Sequence, residues 1–365
     1  MKVGFHSPLP PARTGVADYS EALLKALRQT GAVEVNARDA DVHLYHVGNN
    51  QLHREIYQQA LRRPGITVLH DAVLQHFFLG SLNERAYVEE FVYNYGTWSE
   101  DLARSLWRER ARSATDPRYF SYPMLKRIAE RSLALIVHNP AAAKMVKHHA
   151  PAAEVFEIPH FFEGREPAPA CEAERLRARL GLRPGTFLFG VFGHLRESKR
   201  IAAALRAFEP VRRQRPVALL IAGDFASSDL ARSLAPALQQ DGVIRTGYLP
   251  EPDFWLHGAA VDACINLRYP AAGETSGIGI RLMGIGKPVI VTAGCETSRY
   301  PDSGCIRIDS GIAEEDMLAE VMRWLAEYPE DARAIGERAA AHIRRYHALD
   351  RVACLYQKCL TTCYH

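Results

Sequence analysis

Gly273-Glu274-Thr275-Ser276-Gly277-Ile278-Gly279-Ile280-Arg281-Leu282-Met283-Gly284-Ile285-Gly286-Lys287-Pro288-Val289-Ile290-Val291 is the stretch on which the fold turns. A carboxylate, two hydroxyls and a glycine stand where a short apolar helix begins. Thr275 or Ser276 can serve as the N-cap. The first N–H groups of such a helix have no intrahelical partner, and its dipole favours an anion there. Gly277 and Gly279 let a ligand approach the backbone. Gly286 reads as the helix stop, Pro288 bars continuation, and 289–291 read as a strand. The unit is therefore strand, loop, helix, strand, with a phosphate-sized seat at the helix start. An ordinary capped helix fits the same letters, so the functional reading needs a second element.

That element lies upstream. Gly193-His194-Leu195-Arg196-Glu197-Ser198-Lys199-Arg200 follows an apolar strand at 187–192 and opens a helix at 201–211. Lys199 stands at the carboxyl edge of the same sheet, where it can neutralise a phosphate that the 274–277 turn also reaches. A solvated surface lysine is the plain alternative; two anion-favouring features on one sheet edge tip the reading to a diphosphate site.

Working outward, apolar strands alternate with helical periodicity on both sides. Strands are expected at 3–7, 42–45, 66–69, 134–138 and 155–159, then at 187–192, 217–222, 243–249, 263–267, 289–291 and 306–309. Helices are expected at 16–27, 51–61, 201–211, 230–238 and 254–260. Residues 84–112 read as an outer helical insert, and three helices close the chain at about 314–327, 331–346 and 350–362. Residues 161–171, with Glu163, Gly164, Arg165, Pro167 and Pro169, read as a linker. The 365 residues suit two domains, and the expected class is α/β with two doubly wound parallel sheets.

Composition excludes several classes. A net charge of +3 does not point to nucleic acid. Seven scattered cysteines without a Cys-x-x-Cys pair read as free thiols of a reducing compartment. The start Met1-Lys2-Val3-Gly4-Phe5 reads as a strand rather than a signal peptide. No apolar run reaches the length of a membrane span. The expectation is a cytoplasmic protein, with contact at the inner face of the membrane requiring only a surface patch. Neither half carries Gly-x-Gly-x-x-Gly, which argues against a nicotinamide dehydrogenase.

Near the N-terminus, Arg13-Thr14-Gly15-Val16-Ala17-Asp18-Tyr19-Ser20 sits at a strand-to-helix turn, and the strand at 66–69 ends in His70-Asp71. Residues at the carboxyl ends of strands face ligands in open α/β sheets. Gly15 reads equally as a phosphate-approach glycine or a plain loop glycine, and His70 alone would read as a loop histidine.

In this order, Gly-x-x-x-x-x-Lys at Gly193–Lys199, Ala222-Gly223-Asp224, Thr246-Gly247-Tyr248-Leu249 and Gly286-Lys287-Pro288-Val289 resemble the family-4 retaining glycosyltransferases of the GT-B fold. Gly-Val-Ala-Asp-Tyr-Ser at 15–20 and Val68-Leu69-His70-Asp71 resemble a bacterial branch that works in glycan biosynthesis. The resemblance spans nearly the whole chain. It implies two Rossmann-like domains facing across a cleft. Residues 1–165 would bind the acceptor, joined by a C-terminal helix at about 350–365, and residues 172–345 would bind the nucleotide sugar. The acceptor class implied is a hydroxyl of a saccharide, a lipid-linked glycan or a natural product. No cofactor and no metal is implied beyond the donor itself.

The resemblance also assigns residues. Lys199 matches the lysine on the donor diphosphate. Glu274, Thr275, Ser276 and Gly277 match the loop and helix start that hold the sugar hydroxyls and the β-phosphate. Gly15 matches a loop glycine near that phosphate, and His70 a histidine beside the reacting carbon. His70, Lys199 and Glu274 are thus the expected catalytic residues. Gly193, His194, Arg200, Gly223, Tyr248, Leu249 and Arg281 join the donor side; Arg13, Asp18, Tyr19 and Asp71 are the acceptor-side candidates. Two departures stand out: Arg281 occupies the place of a second glutamate that accepts from the ribose, and His194 that of an arginine. A guanidinium has no acceptor. Two other readings are a catalytically weak sugar-nucleotide-binding partner subunit and another GT-B enzyme such as a sugar-nucleotide epimerase. Donor turnover by the isolated chain separates the first, and free nucleotide released without acceptor the second.

Overall fold

The computed structural model describes residues 1–12 and 14–364. Among them, two six-stranded sheets form, and every neighbouring strand pair runs parallel. The first holds β1 (Lys2–His6), β2 (Ala32–Val35), β3 (Val42–Val47), β4 (Ile66–Leu69), β5 (Ala134–Val137) and β6 (Val155–Glu157) in the order β2-β1-β3-β4-β5-β6. The second holds β7 (Phe187–Phe192), β8 (Val217–Ala222), β9 (Val243–Gly247), β10 (Ala263–Asn266), β11 (Val289–Thr292) and β12 (Cys305–Ile308) in the order β12-β11-β10-β7-β8-β9. Numbered from β7, that is the Rossmann order, reversing between β7 and β10.

The strands are apolar on both faces because helices cover both. In β5, Ala134 and Ile136 point into one core layer with Leu23, Leu27 and Tyr356, while Leu135 and Val137 point into the other with Tyr87, Phe91 and Leu106. In the second sheet, Phe189, Leu219, Ile265 and Ile290 pack with Leu205, Phe208, Leu318 and Met322 from the helices Ile201–Arg212 and Glu314–Glu327.

The chain divides into two compact units. The first comprises Met1–Glu163, Pro270–Thr275 and His347–His365; the second comprises Gly164–Tyr269 and Ser276–Tyr346. The short piece Pro270–Thr275 thus belongs with the first sheet, where the sequence reading had it in the second half. The expected strand positions agree with the observed ones, with one strand unforeseen: β2, four residues at the sheet edge with Glu34 turned to solvent. The expected linker at 161–171 runs into a helix, Ala170–Arg179. The insert at 84–112 resolves into Glu84–Tyr95, Glu100–Arg108 and short 3₁₀ turns. Among the described residues no helix is long and apolar enough to cross a membrane.

Candidate functional site

In the second unit the loops after β7 and β10 flank the reversal point of the sheet. Directly after β7 comes Gly193 at φ +86°, and after β8 comes Gly223 at φ +140°. A Cβ on Gly223 would overlap the Gly193 carbonyl oxygen, and a Cβ on Gly193 would overlap Ile278 and lie 3.0 Å from Lys199 Nζ. Both glycines are therefore set by close backbone approach as well as by φ. The two loops run side by side, Leu195 N–H donating to the Asp224 carbonyl at 2.8 Å and Ala226 N–H to that of Leu195 at 2.8 Å.

Lys199 ends the 3₁₀ turn Glu197–Lys199 and is only 8 % exposed. Its ammonium donates to the Phe192 carbonyl at the end of β7. That bond holds a positive charge at the strand end. The helix Gly277–Gly284 begins close by. Ser276 Oγ accepts from Gly279 N–H at 3.2 Å as the N-cap and donates to Asn266 Oδ1 at 3.1 Å. Gly277 and Ile278 N–H have no intrahelical acceptor. At the other end Gly286 adopts φ +84°, with Lys287 N–H on the Leu282 carbonyl at 2.9 Å and Gly286 N–H on that of Met283 at 3.0 Å, a Schellman stop. Arg268 was not foreseen. It follows β10, is half-buried, and its Nη2 lies 3.4 Å from Ser276 Oγ. A charged residue directly after an apolar strand was the available signal.

Several expected donor residues have other partners. Arg200, at φ +57°, directs its guanidinium to Glu314, with Nε donating to Oε2 at 2.7 Å. Arg281 lies over the rings of Phe254 and Trp255, 5.6 and 5.4 Å from their centroids, and 3.9 Å from Glu251. Desolvation, then the charges of Arg196 and Lys199, hold the His194 imidazole below its ordinary value, so it carries little positive charge at neutral pH. Tyr248 N–H donates to Asp224 Oδ1 at 3.2 Å, and its ring is 57 % exposed beside Leu249.

In the first unit Thr14 caps the helix Gly15–Arg28, its Oγ1 accepting from Ala17 N–H at 3.1 Å. Among the described residues, beyond its chain neighbours and its own helix backbone, no heavy atom lies within 4 Å of where a Gly15 Cβ would be. Asp18 is exposed in the first turn, where its charge complements the helix dipole. Arg13 lies outside the described residues. Tyr19 is not at the surface: it is buried, and its hydroxyl pairs with that of Tyr356 at 2.9 Å. Asp71 Oδ2 accepts from Asn49 N–H at 2.8 Å, tying the loop after β3 to the end of β4. His70 follows β4, its Nε2 3.0 Å from His46 Nδ1. Burial first, then the imidazoles of His46 and His138, push His70 well below the ordinary histidine value.

Glu274 and Thr275 also belong to this unit. Ala72 and Val73 N–H donate to the Ala272 carbonyl at 2.8 and 3.1 Å. Gly273 adopts φ +68°, and a Cβ there would lie 2.6 Å from Ala72 Cβ. Asn139, buried, donates to the Gly273 carbonyl at 2.9 Å and to Thr275 Oγ1 at 3.0 Å. The same side chain caps the helix Pro140–His149 through Ala142 N–H at 2.9 Å. Glu274 Oε2 accepts from Ala272 N–H at 2.7 Å, which curls the loop on itself. Asn139 was invisible to sequence reading, where it looks like a helix cap alone. Asp39 and Asp41, the one Asp-x-Asp, are engaged by Lys2 at the amino end of the sheet, at 3.0 and 2.6 Å.

Two parallel Rossmann-type sheets in tandem are the architecture of the GT-B fold. Residues 186–327, which carry the whole second sheet, match the family described as glycosyl transferases group 1. That match covers the second sheet and its helices, and there the chain is similar to group 1 glycosyltransferases. Solved structures share its fold. HepE of Anabaena, in complex with UDP and glucose, aligns with TM-score 0.74 at 16% identity over 99% of this chain and 100% of that chain. Sucrose-phosphate synthase from Thermosynechococcus elongatus aligns with TM-score 0.70 at 16% identity, covering 99% and 100%. WaaG, a glycosyltransferase involved in lipopolysaccharide biosynthesis, aligns with TM-score 0.61 at 15% identity, covering 96% and 98%. No curated protein matches the chain in sequence.

Proposed function

We propose that the second unit holds the nucleoside diphosphate of the donor, that the first supplies the acceptor site and His70, and that sugar passes with retention to an acceptor hydroxyl. The acceptor is a saccharide, a lipid-linked glycan or a natural product, of the kind used by bacterial enzymes with the 15–20 motif. The observation that carries this reading is the meeting of Lys199, the Ser276-capped helix start and the Gly193 turn at the reversal point of the second sheet. A departing nucleoside diphosphate gains negative charge as the glycosidic bond breaks. Fixed donors aimed at that charge are the main device a protein has for speeding such a step. Arg268 adds a cation beside the same helix start. Glu274, in the loop pinned by Asn139, is the acceptor for donor-sugar hydroxyls, and Gly15 opens the backbone to the β-phosphate.

UDP-glucose is the donor to try first, since HepE was solved with UDP and glucose. Calorimetry of UDP against wild type and Lys199→Met tests the seat. Losing a charge-assisted phosphate contact costs about 1.5–3 kcal/mol, so the Kd should rise roughly 10- to 150-fold. Unchanged affinity would remove Lys199 from the donor.

A further inference from the structure

At the carboxyl ends of β3, β4 and β5, imidazoles gather around Tyr19. The rings of His70 and His138 lie 4.9 and 5.4 Å from the Tyr19 ring, and His160 lies 4.9 Å away. His53 and His138 have each committed an Nδ1–H to a carbonyl, that of His46 at 2.9 Å and that of Ile158 at 2.9 Å. Their Nε2 atoms are therefore unprotonated, and both are buried without a partner.

His46 is the one whose proton has a choice. Its Nδ1 is 3.0 Å from His70 Nε2, and the two rings stack at 23° with centroids 5.2 Å apart. Its Nε2 is buried with no partner. One proton serves the shared bond, because burial first and then the neighbouring imidazoles keep both rings neutral. If that proton belonged to His70, His46 would hold its own on Nε2, as a buried N–H aimed at nothing. Orphaned buried N–H groups are rare, and unfilled acceptors less so. If it belongs to His46, the orphan is a lone pair, the same outcome as at His53 and His138.

We propose that His46 is a positioning residue for His70: its Nδ1–H donates to His70 Nε2 and locks the His70 ring in the Nδ1–H tautomer. The nitrogen that His70 has left for a ligand is then a hydrogen-bond donor. His70 offers that N–H to an oxygen of the bound substrate and does not take a proton from the acceptor. This rests on the reading that His70 touches substrate, and the test separates the two claims.

The direct measurement is the ¹⁵N ring spectrum of histidine-labelled wild type, with His70 identified by its loss in His70→Gln. A protonated Nδ1 and a bare Nε2 at His70 is the expected result; a protonated Nε2 overturns the proposal whatever His70 does in catalysis. The kinetic measurement uses His46→Phe, which keeps the ring and removes the donor, and His46→Asn, whose amide stands near the place of Nδ1. The first should lower kcat about tenfold with UDP affinity unchanged, and the second should recover most of that loss. Equal losses in both variants would mean that His46 only fills space. Full turnover in His70→Gln would instead end the catalytic reading of His70 and leave the tautomer assignment standing.

Discussion

Arg200→Ala tests what the guanidinium next to the seat is for. Arg200 sits at φ +57°, a conformation that costs a non-glycine residue about 1 kcal/mol. It is kept there by Glu314, which is 1 % exposed and accepts both Nε and Nη2 on one oxygen, while its other oxygen has no partner. Removing one partner of a buried pair leaves the other charge without compensation and costs about 3–5 kcal/mol. The Arg side is partly open to water, so the low end applies, about 3 kcal/mol. Arg200→Gly sheds the backbone strain and should be about 1 kcal/mol less damaged than the alanine variant. Arg200→Met with Glu314→Leu removes both charges and should return to within about 1 kcal/mol of wild type. Urea unfolding gives the three values, and calorimetry of UDP well below each transition should give Kd within about threefold of wild type. A loss of stability under about 1 kcal/mol, together with a Kd raised more than tenfold, would refute the ion-pair account and return Arg200 to the donor.

Gly15→Ala should raise stability by about 0.4–1 kcal/mol, because the position is open and helical; the melting temperature then rises by about 1–4 °C. If a phosphate meets that backbone, turnover falls at the same time, and a more stable, fully active variant removes Gly15 from the donor side. Asn139→Ala should cost about 2–3 kcal/mol for a lost cap and two lost hydrogen bonds. Asn139→Asp keeps the cap and loses the donors to Gly273 and Thr275; turnover at the wild-type level in that variant would show that the loop needs no anchor. Acid should weaken the first unit. Burial lowers His138 and His6 to about 4, below the unfolded value of 6.5. Between those values the unfolded chain binds more protons, so stability is full above about pH 6.5 and falls as pH drops towards 4. A urea midpoint that stays level from pH 7 to 5 would contradict this, and His138→Phe should flatten the slope.

The sheets were legible because parallel strands covered on both faces are short apolar runs with few rival readings. Ala134 to Val137 or Val217 to Ala222 admit little else. β2 escaped because Ala-Val-Glu-Val at an edge is half exposed and reads as a loop. The local elements around Lys199 and Ser276 were legible for a local reason: a glycine turn, a lysine and a hydroxyl cap each announce themselves within a few residues. What was not legible is long-range. Asn139 meets Gly273 across 134 positions, and Arg200 meets Glu314 across 114. Spacing carries no trace of such pairs. Tyr19 misled for the same reason, since its partner Tyr356 lies 337 residues away.

The pairing of Tyr19 with Tyr356 bears on how the protein is made. The ribosome finishes β1 to β6 before residue 164, yet the core layer that holds Val3, Leu23 and Ile136 takes Val352, Tyr356 and Leu360 from the last helix. A nascent chain released early, or one stalled anywhere in the second unit, therefore carries a first sheet with one apolar face only partly covered, by the helix Gly15–Arg28. Domains usually mature in the order of synthesis, and exposed apolar faces draw aggregation and chaperones. Here the second unit, continuous except for Pro270–Thr275, has its sequence complete first. The half that emerges earliest must wait for residues 347–365 to close.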